Sequence, residues 1–216
     1  MKAKVFFSLF LLCAVVMFLP LSSYAQLTYG VKGGLNLANF AGEDANEDSK
    51  MKLGANLGLT ATYELTSLIG VKAEMLYSMQ GAAIEYSENI PLFGTLEYTH
   101  KTKLNYLSIP VLANATFGSA YINAGPAFNF LVASDDEFEL TSDQDNIDIE
   151  DYVGDYEVDY VKNDISFVIG GGYNVGNIFL EVRYNAGLKS ISEDNLLNQE
   201  IDIKNSVIQF SVGYNF

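Results

Sequence analysis

Six charged side chains recur on the polar side of segments in which apolar and polar residues alternate: Lys32, Lys72 and Arg183, with Glu64, Glu74 and Glu181. Three cations and three carboxylates on one side of a sheet can do either of two things. They can pair into a buried ion network, because an unpaired charge against carbon-rich walls is costly. Alternatively they can line a path for protons or small ions. Equal numbers of the two signs favour the paired network. The single histidine, His100, has Glu97 three residues before it and Lys101 after it. A histidine near a carboxylate or hydroxyl can serve as a general base, but no nucleophile motif accompanies it, so the chain is not expected to be an enzyme. Asp143, Asp145 and Asp148 are spaced like the first ligands of a calcium loop. That loop needs a glycine at its sixth position and a glutamate at its twelfth, and both are missing here. Weak cation binding is therefore expected of these three aspartates, with no metal centre and no cofactor.

The elements that must hold these groups are strands, because the pattern has a period of two. Leu53, Ala55, Leu57, Leu59, Ala61 and Tyr63 alternate with Lys52, Gly54, Asn56, Gly58, Thr60 and Thr62, and no helix would put either set on one side. The same alternation starts at Leu27 and Ile69 and recurs at about 101–117, 121–130, 165–175, 178–188 and 207–216, which gives eight strands. Connections alternate in length. The segments 66–68, 118–120 and 176–177 are tight, whereas 38–51, 86–98, 132–164 and 190–203 are long. Short turns at one end and long loops at the other characterise a transmembrane barrel. Glycine falls on the polar face, at Gly30, Gly54, Gly58, Gly170, Gly172 and Gly213 among others, where a narrow lumen must admit the long side chains of neighbouring strands. Outward aromatics sort into two girdles, with Tyr29, Tyr63, Phe117, Tyr173, Tyr214 and Phe216 at the turn end and Tyr77, Phe128, Phe130 and Phe167 at the loop end. The expected fold is all-β: an eight-stranded antiparallel transmembrane up-and-down β-barrel with short periplasmic turns and long extracellular loops.

Local irregularities are also expected. Leu104 and Tyr106 have the opposite parity to Leu107, Ile109 and Val111, which predicts a bulge near Tyr106 and Leu107. Pro110 and Pro126 each lack a ladder donor; a turn at 118–120 would set Pro110 opposite Phe128 and Pro126 opposite Leu112, giving a weak seam.

Lys2 and Lys4 precede an apolar run that ends in Ser22, Ser23, Tyr24 and Ala25, which reads as a secretory signal peptide (residues 1–25) cut before Gln26, leaving a barrel domain at 26–216. The one cysteine, Cys13, lies within that segment, so disulfide frameworks and Cys-based metal sites are excluded. With 12 Lys+Arg against 27 Asp+Glu the chain carries a net charge of -15, and it has no basic run for nucleic acid. Residues 134–164 hold 13 of the acids and one base, Lys162, so an acidic extracellular loop at 132–164 is expected. Alternation at 137–140 and 155–160 suggests that the fifth and sixth strands continue above the rim as a hairpin, with a bulge between Tyr160 and Asp164.

The stretches YGVKGGLNLANF at 29–40, AEMLYSMQG at 73–81, NYLSIP at 105–110 and EVRYNAGL at 181–188 resemble the PorT-like outer-membrane β-barrel family over essentially all of the chain from residue 26. The resemblance implies an eight-stranded barrel in the outer membrane of a Gram-negative bacterium, mostly without assigned activity, whose founding member is linked to protein secretion. The terminal Tyr214 and Phe216 look like the C-terminal aromatic signal read by the outer-membrane assembly machinery. Expected partners are outer-membrane lipids and that machinery, with other envelope or secretion proteins as further candidates. The expected function is a structural or surface-recognition barrel with a plugged polar lumen. The alternatives are a small-solute porin and an accessory barrel of a secretion system.

Overall fold

The computed structural model describes residues 27–46, 49–90, 94–142, 160–192 and 202–216, with the backbone alone at 85–90, 94–98 and 138–142. The expected leader at 1–25 and the three aspartates Asp143, Asp145 and Asp148 lie outside the described residues. The strands are β1 (Leu27–Ala41), β2 (Ser49–Glu64), β3 (Ile69–Ile90), β4 (Gly94–Phe117), β5 (Ala120–Ser142), β6 (Asn163–Val175), β7 (Ile178–Gly187) and β8 (Lys204–Asn215). Each pairs antiparallel with the next. Closure comes from β1 on β8, in a ladder from Gly30↔Asn215 to Ala41↔Lys204. A closed ladder leaves no strand edge in the membrane, where an unpaired backbone group has no water to turn to.

Hydropathy alternation sets the two faces. Leu57, Leu59, Ile122, Ile169, Leu180 and Val212 are more than half exposed on the outside, while Lys32, Asn36, Asn123, Glu181 and Arg183 are buried on the inside. The arrangement inverts that of a soluble protein, as lipid solvates the outer face. Two turns are as tight as a hairpin permits: Phe117 pairs with Ala120 and Val175 with Ile178. Their first residues, Gly118 (φ 65) and Gly176 (φ 62), occupy the left-handed region that favours glycine. At the β2–β3 turn Thr66 Oγ1 accepts from the amides of Leu68 (3.2 Å) and Ile69 (3.0 Å), a local cap that ends the strand.

The structure differs from the sequence expectations in four places. The segment 86–98 is mostly strand, since β3 and β4 pair as far as Ile90↔Gly94. Residues 132–142 likewise continue β5, paired with β4 up to Leu96↔Ser142, whereas β5 and β6 part company at Phe130↔Asn163. Among the described residues the element above the rim is a three-stranded blade of β3, β4 and β5; residues 155–159 of the expected β5–β6 hairpin lie outside the described residues. Tyr160 bridges Ser192. The third difference concerns Leu104 and Tyr106, which are fully buried and share the inward parity of Ser108 and Leu112, so β4 itself has no extra residue. The register shift beside Tyr106 lies on the partner strand, where Val132 is passed over between Ala133 and Leu131. An apolar patch inside the barrel was mistaken for a change of face. Fourth, the two-residue turn at Gly118 and Ser119 sets Pro110 opposite Ala127 and not Phe128. Ladder partners stop there and resume at Ala113↔Ala124, so the pairing lapses beside both prolines without a change of register.

Candidate functional site

The polar lumen is built from the even-numbered side of β1, β2, β3, β4 and β6 and from the odd-numbered side of β5, β7 and β8. At mid-height five of the six expected charges meet. Arg183 on β7 grips Glu74 on β3 with both terminal nitrogens (Nη1 to Oε2 and Nη2 to Oε1, each 2.7 Å), and Nη2 also donates to Glu181 Oε2 at 2.9 Å. Such a bidentate fork fixes geometry as well as energy. Lys32 on β1 lies 2.9 Å from Glu181 Oε1 and 3.1 Å from Glu74 Oε2, and Lys72 lies 3.2 Å from Glu181 Oε2 and 3.3 Å from Glu74 Oε1. Tyr121 and Asn123 of β5 complete the shell of Glu181 (3.1 and 3.0 Å), while Gln209 of β8 accepts from Lys32 at 3.2 Å. The cluster therefore ties β1, β3, β5, β7 and β8 together through the middle of the barrel, with its charged side chains at most 6% exposed.

Room for these groups comes from glycine on facing strands. A Cβ at Gly170 would lie 2.5 Å from Arg183 Cγ, one at Gly172 would lie 2.4 Å from the Tyr121 ring, and one at Gly213 would lie 2.1 Å from the Phe179 ring. Two of these three neighbours are aromatic rather than charged. The Phe179 and Tyr121 rings stand 4.6 and 5.4 Å from Lys72 Nζ and wrap its turn-side flank, a favourable place for a buried ammonium.

Glu64 is not a member of this cluster. It is exposed at the last position of β2 and borders a vestibule of about 90 Å³ at the turn end, shared with Thr28, Thr62, Lys72, Asn114 and Thr116. Parity gave its side correctly; its height keeps it in water. The third buried acid is Asp164, at the loop end of β6 and 2% exposed. Its Oδ2 accepts from Asn205 (3.3 Å) and Asn129 (3.4 Å), and Asn205 Nδ2 also reaches the Tyr106 hydroxyl at 3.2 Å. Asp164 and Arg183 border the same internal cavity of about 20 Å³, the size of one water molecule. Among the described residues, three cations (Lys32, Lys72, Arg183) and three carboxylates (Glu74, Glu181, Asp164) are buried in the lumen. Parity carries the signal for Asp164, which matches the inward Ser166 and Val168, but its place at the end of an acidic run masks that signal.

Above Asp164 the lumen turns apolar. Leu104, Tyr106 and Ile191 are at most 1% exposed, and Phe40, Leu131, Tyr160 and Ile203 pack around them. Ile191 is carried inward by a segment after β7 that is pinned by backbone bonds of 2.8 Å to Ile203 and 2.9 Å from Val161. Among the described residues the lumen is thus filled by carbon towards its mouth and by ion pairs at its waist.

At the rim, His100 meets Asp136; the Glu97 side chain lies outside the described residues. His100 Nε2 is 3.1 Å from Asp136 Oδ1, and Thr102 (2.8 Å) and Tyr160 (3.1 Å) donate to the same carboxylate. Tyr214 and Phe216 stand on the outer face at the turn end, edge to face with ring centroids 5.4 Å apart.

Lipid-facing strands, a closed ladder and an ion-paired polar lumen define an outer-membrane barrel. Residues 22–193 match the outer membrane protein beta-barrel domain family, and the chain belongs to it. Among solved structures it is similar to Ail, the attachment invasion locus protein of Yersinia pestis, at 11% identity over 88% of this chain and 99% of that one, with a TM-score of 0.42. It is also similar to outer membrane protein W of Escherichia coli (18% identity, 89% and 100% covered, TM-score 0.36) and to Neisserial surface protein A (13% identity, 87% and 97% covered, TM-score 0.35). No curated protein matches it by sequence. The family and the closed eight-strand barrel place the protein in the outer membrane of a Gram-negative bacterium.

Proposed function

We propose that this protein is a closed, non-enzymatic barrel that works through its extracellular surface rather than by passing solutes. The observation that carries the reading is the waist of the lumen, where Lys32, Lys72, Arg183, Glu74 and Glu181 are paired and buried. A transport path needs exchangeable water or a run of one charge sign. Here three strands, β1, β3 and β7, would have to release their ion pairs to make one. The apolar packing of Ile191 on Leu104 and Tyr106 supports the same reading from the outer side.

In this reading the barrel is a mount for the blade and the acidic segment 132–164, which meet a ligand or a partner protein outside the cell. The PorT-like resemblance supplies one candidate setting, an accessory barrel beside a secretion apparatus, and the small-solute porin is the competing alternative. Residues 1–25 serve as a leader cleaved before Gln26, and Tyr214 with Phe216 serve as the signal for assembly. Asp143, Asp145 and Asp148 add weak cation affinity to the acidic segment. A liposome-swelling assay with small sugars and amino acids, run beside affinity purification from native outer membranes, separates the alternatives. The proposal expects no swelling above empty liposomes and a co-purifying envelope protein that is lost when residues 141–151 are deleted. Swelling at porin-like rates would reject it.

A further inference from the structure

The basic residues divide sharply by position. From residue 26 onward there are ten, and three of them, Lys32, Lys72 and Arg183, are the lumen cations. The other seven all stand at the loop end of the barrel, and the turn-end connections carry none. A protein with a large acidic excess has thus placed every base outside its lumen at the level of one leaflet.

Ladder register groups four of these lysines. Lys103 pairs with Gly81 on one side and Asp135 on the other; in the next row Lys50 pairs with Ala83, Ala83 with Lys101, and Lys101 with Glu137. The first row therefore runs across β3, β4 and β5 and the second across β2, β3, β4 and β5, with only Gly81 and Ala83 on β3 to form a low floor. Lys52 adds a fourth ammonium beside them, donating to the Gln80 carbonyl at 3.1 Å. Gly81 is fixed in place, because its φ of 117 lies in the region that favours glycine and a Cβ there would lie 2.0 Å from the Thr102 carbonyl.

The height of the rows is set by the apolar band beneath them. On β4 the outward residues from Leu107 to Phe117 are apolar, and at about 3.4 Å per residue and a tilt of about 40° they span roughly 26 Å, the height of a lipid-facing band. Met51 and Leu53 on β2, both at least 60% exposed, mark the same upper limit. Lys103 then stands about 10 Å above the band, at headgroup depth. Lys103 already donates to Glu137 and, at 3.5 Å, to Asp135, but with the pair 32% and 42% exposed the link can be exchanged for a stronger acceptor.

We propose that this patch binds a bisphosphorylated glycolipid of the outer leaflet, with Lys50, Lys101 and Lys103 taking phosphate oxygens and Asp135 and Glu137 sharing the divalent cation that accompanies them. A column of ammonium groups beside a column of carboxylates matches a ligand that brings both an anion and its counter-cation. The inference uses the outer-membrane location and the rim geometry, and is independent of whether the lumen is closed.

The test is native mass spectrometry of the full barrel in detergent with Mg²⁺, titrated with diphosphoryl lipid A. The wild type is expected to hold one lipid, more tightly than monophosphoryl lipid A. The variant Lys50→Gln, Lys101→Gln, Lys103→Gln is expected to bind about a hundredfold more weakly, as each lysine near an anionic surface contributes about a fivefold factor. Asp135→Asn with Glu137→Gln is expected to remove the Mg²⁺ dependence. Heat-modified gel migration shows that each variant is folded. Equal binding by the triple-lysine variant, equal binding of phosphatidylglycerol, or displacement of lipid A by millimolar inorganic phosphate would each overturn the proposal.

Discussion

Arg183 is the residue on which the lumen depends most. It is the only cation that grips one carboxylate with two nitrogens while reaching the other, so its removal leaves both Glu74 and Glu181 short of a partner inside the membrane. Arg183→Met is expected to destabilise the barrel by about 3–5 kcal/mol, the usual cost of stranding a buried charge. The midpoint of urea unfolding in lipid vesicles reads this, and a loss below 1 kcal/mol would show that the pairs contribute little. Glu64→Gln is the matching control, expected to lie within about 0.5 kcal/mol of wild type since the side chain is exposed. Gly213→Val probes the same packing from the other side: its branches would overlap the Phe179 ring, with an expected cost of about 1–3 kcal/mol. What sequence could and could not supply is visible in these residues. Parity assigned Lys32, Lys72, Glu74, Glu181 and Arg183 to the inside because strand geometry has a strict period of two. Height along the barrel has no such signal. Glu64 was therefore grouped with the buried acids, and Asp164, at the inward parity but next to an acidic run, was not.

The strands themselves were legible wherever one face met lipid, because alternation is then enforced along the whole crossing. Outside the membrane that constraint ends. This is why 86–98 and 132–142 read as loops although β3, β4 and β5 continue through them. The apolar stopper misled in the opposite way: Leu104 and Tyr106 looked like a change of face because an apolar pair inside a polar lumen imitates one. The β4–β5 seam adds a prediction at this scale. Pairing lapses between Pro110↔Ala127 and Ala113↔Ala124, so the amides there that face the seam should exchange with deuterium at least about tenfold faster than the seam-facing amides of the flanking pairs. Uniform protection along β4 would mean that the ladder is intact there. The one-residue error in the expected register has a simple origin. A three-residue turn was assumed at 118–120, and a slip of one sets an inward residue, Pro110, against an outward one, Phe128, which the faces themselves forbid.

Across the whole molecule, charge is sorted by zone. The lumen is balanced, the outward crossing is apolar, the bases outside the lumen collect at the outer rim, and 13 of the acids fall at 134–164. Such sorting keeps uncompensated charge out of the membrane-spanning band. The central claim is that the lumen is shut by its own ion pairs, and single-channel recording in planar bilayers tests it most directly. Wild-type protein should give no steady conductance at any applied voltage that the bilayer survives, and the Arg183→Met variant should give at most brief, irregular openings as the weakened barrel fluctuates. A stable, ion-selective open level in the wild type would contradict the claim.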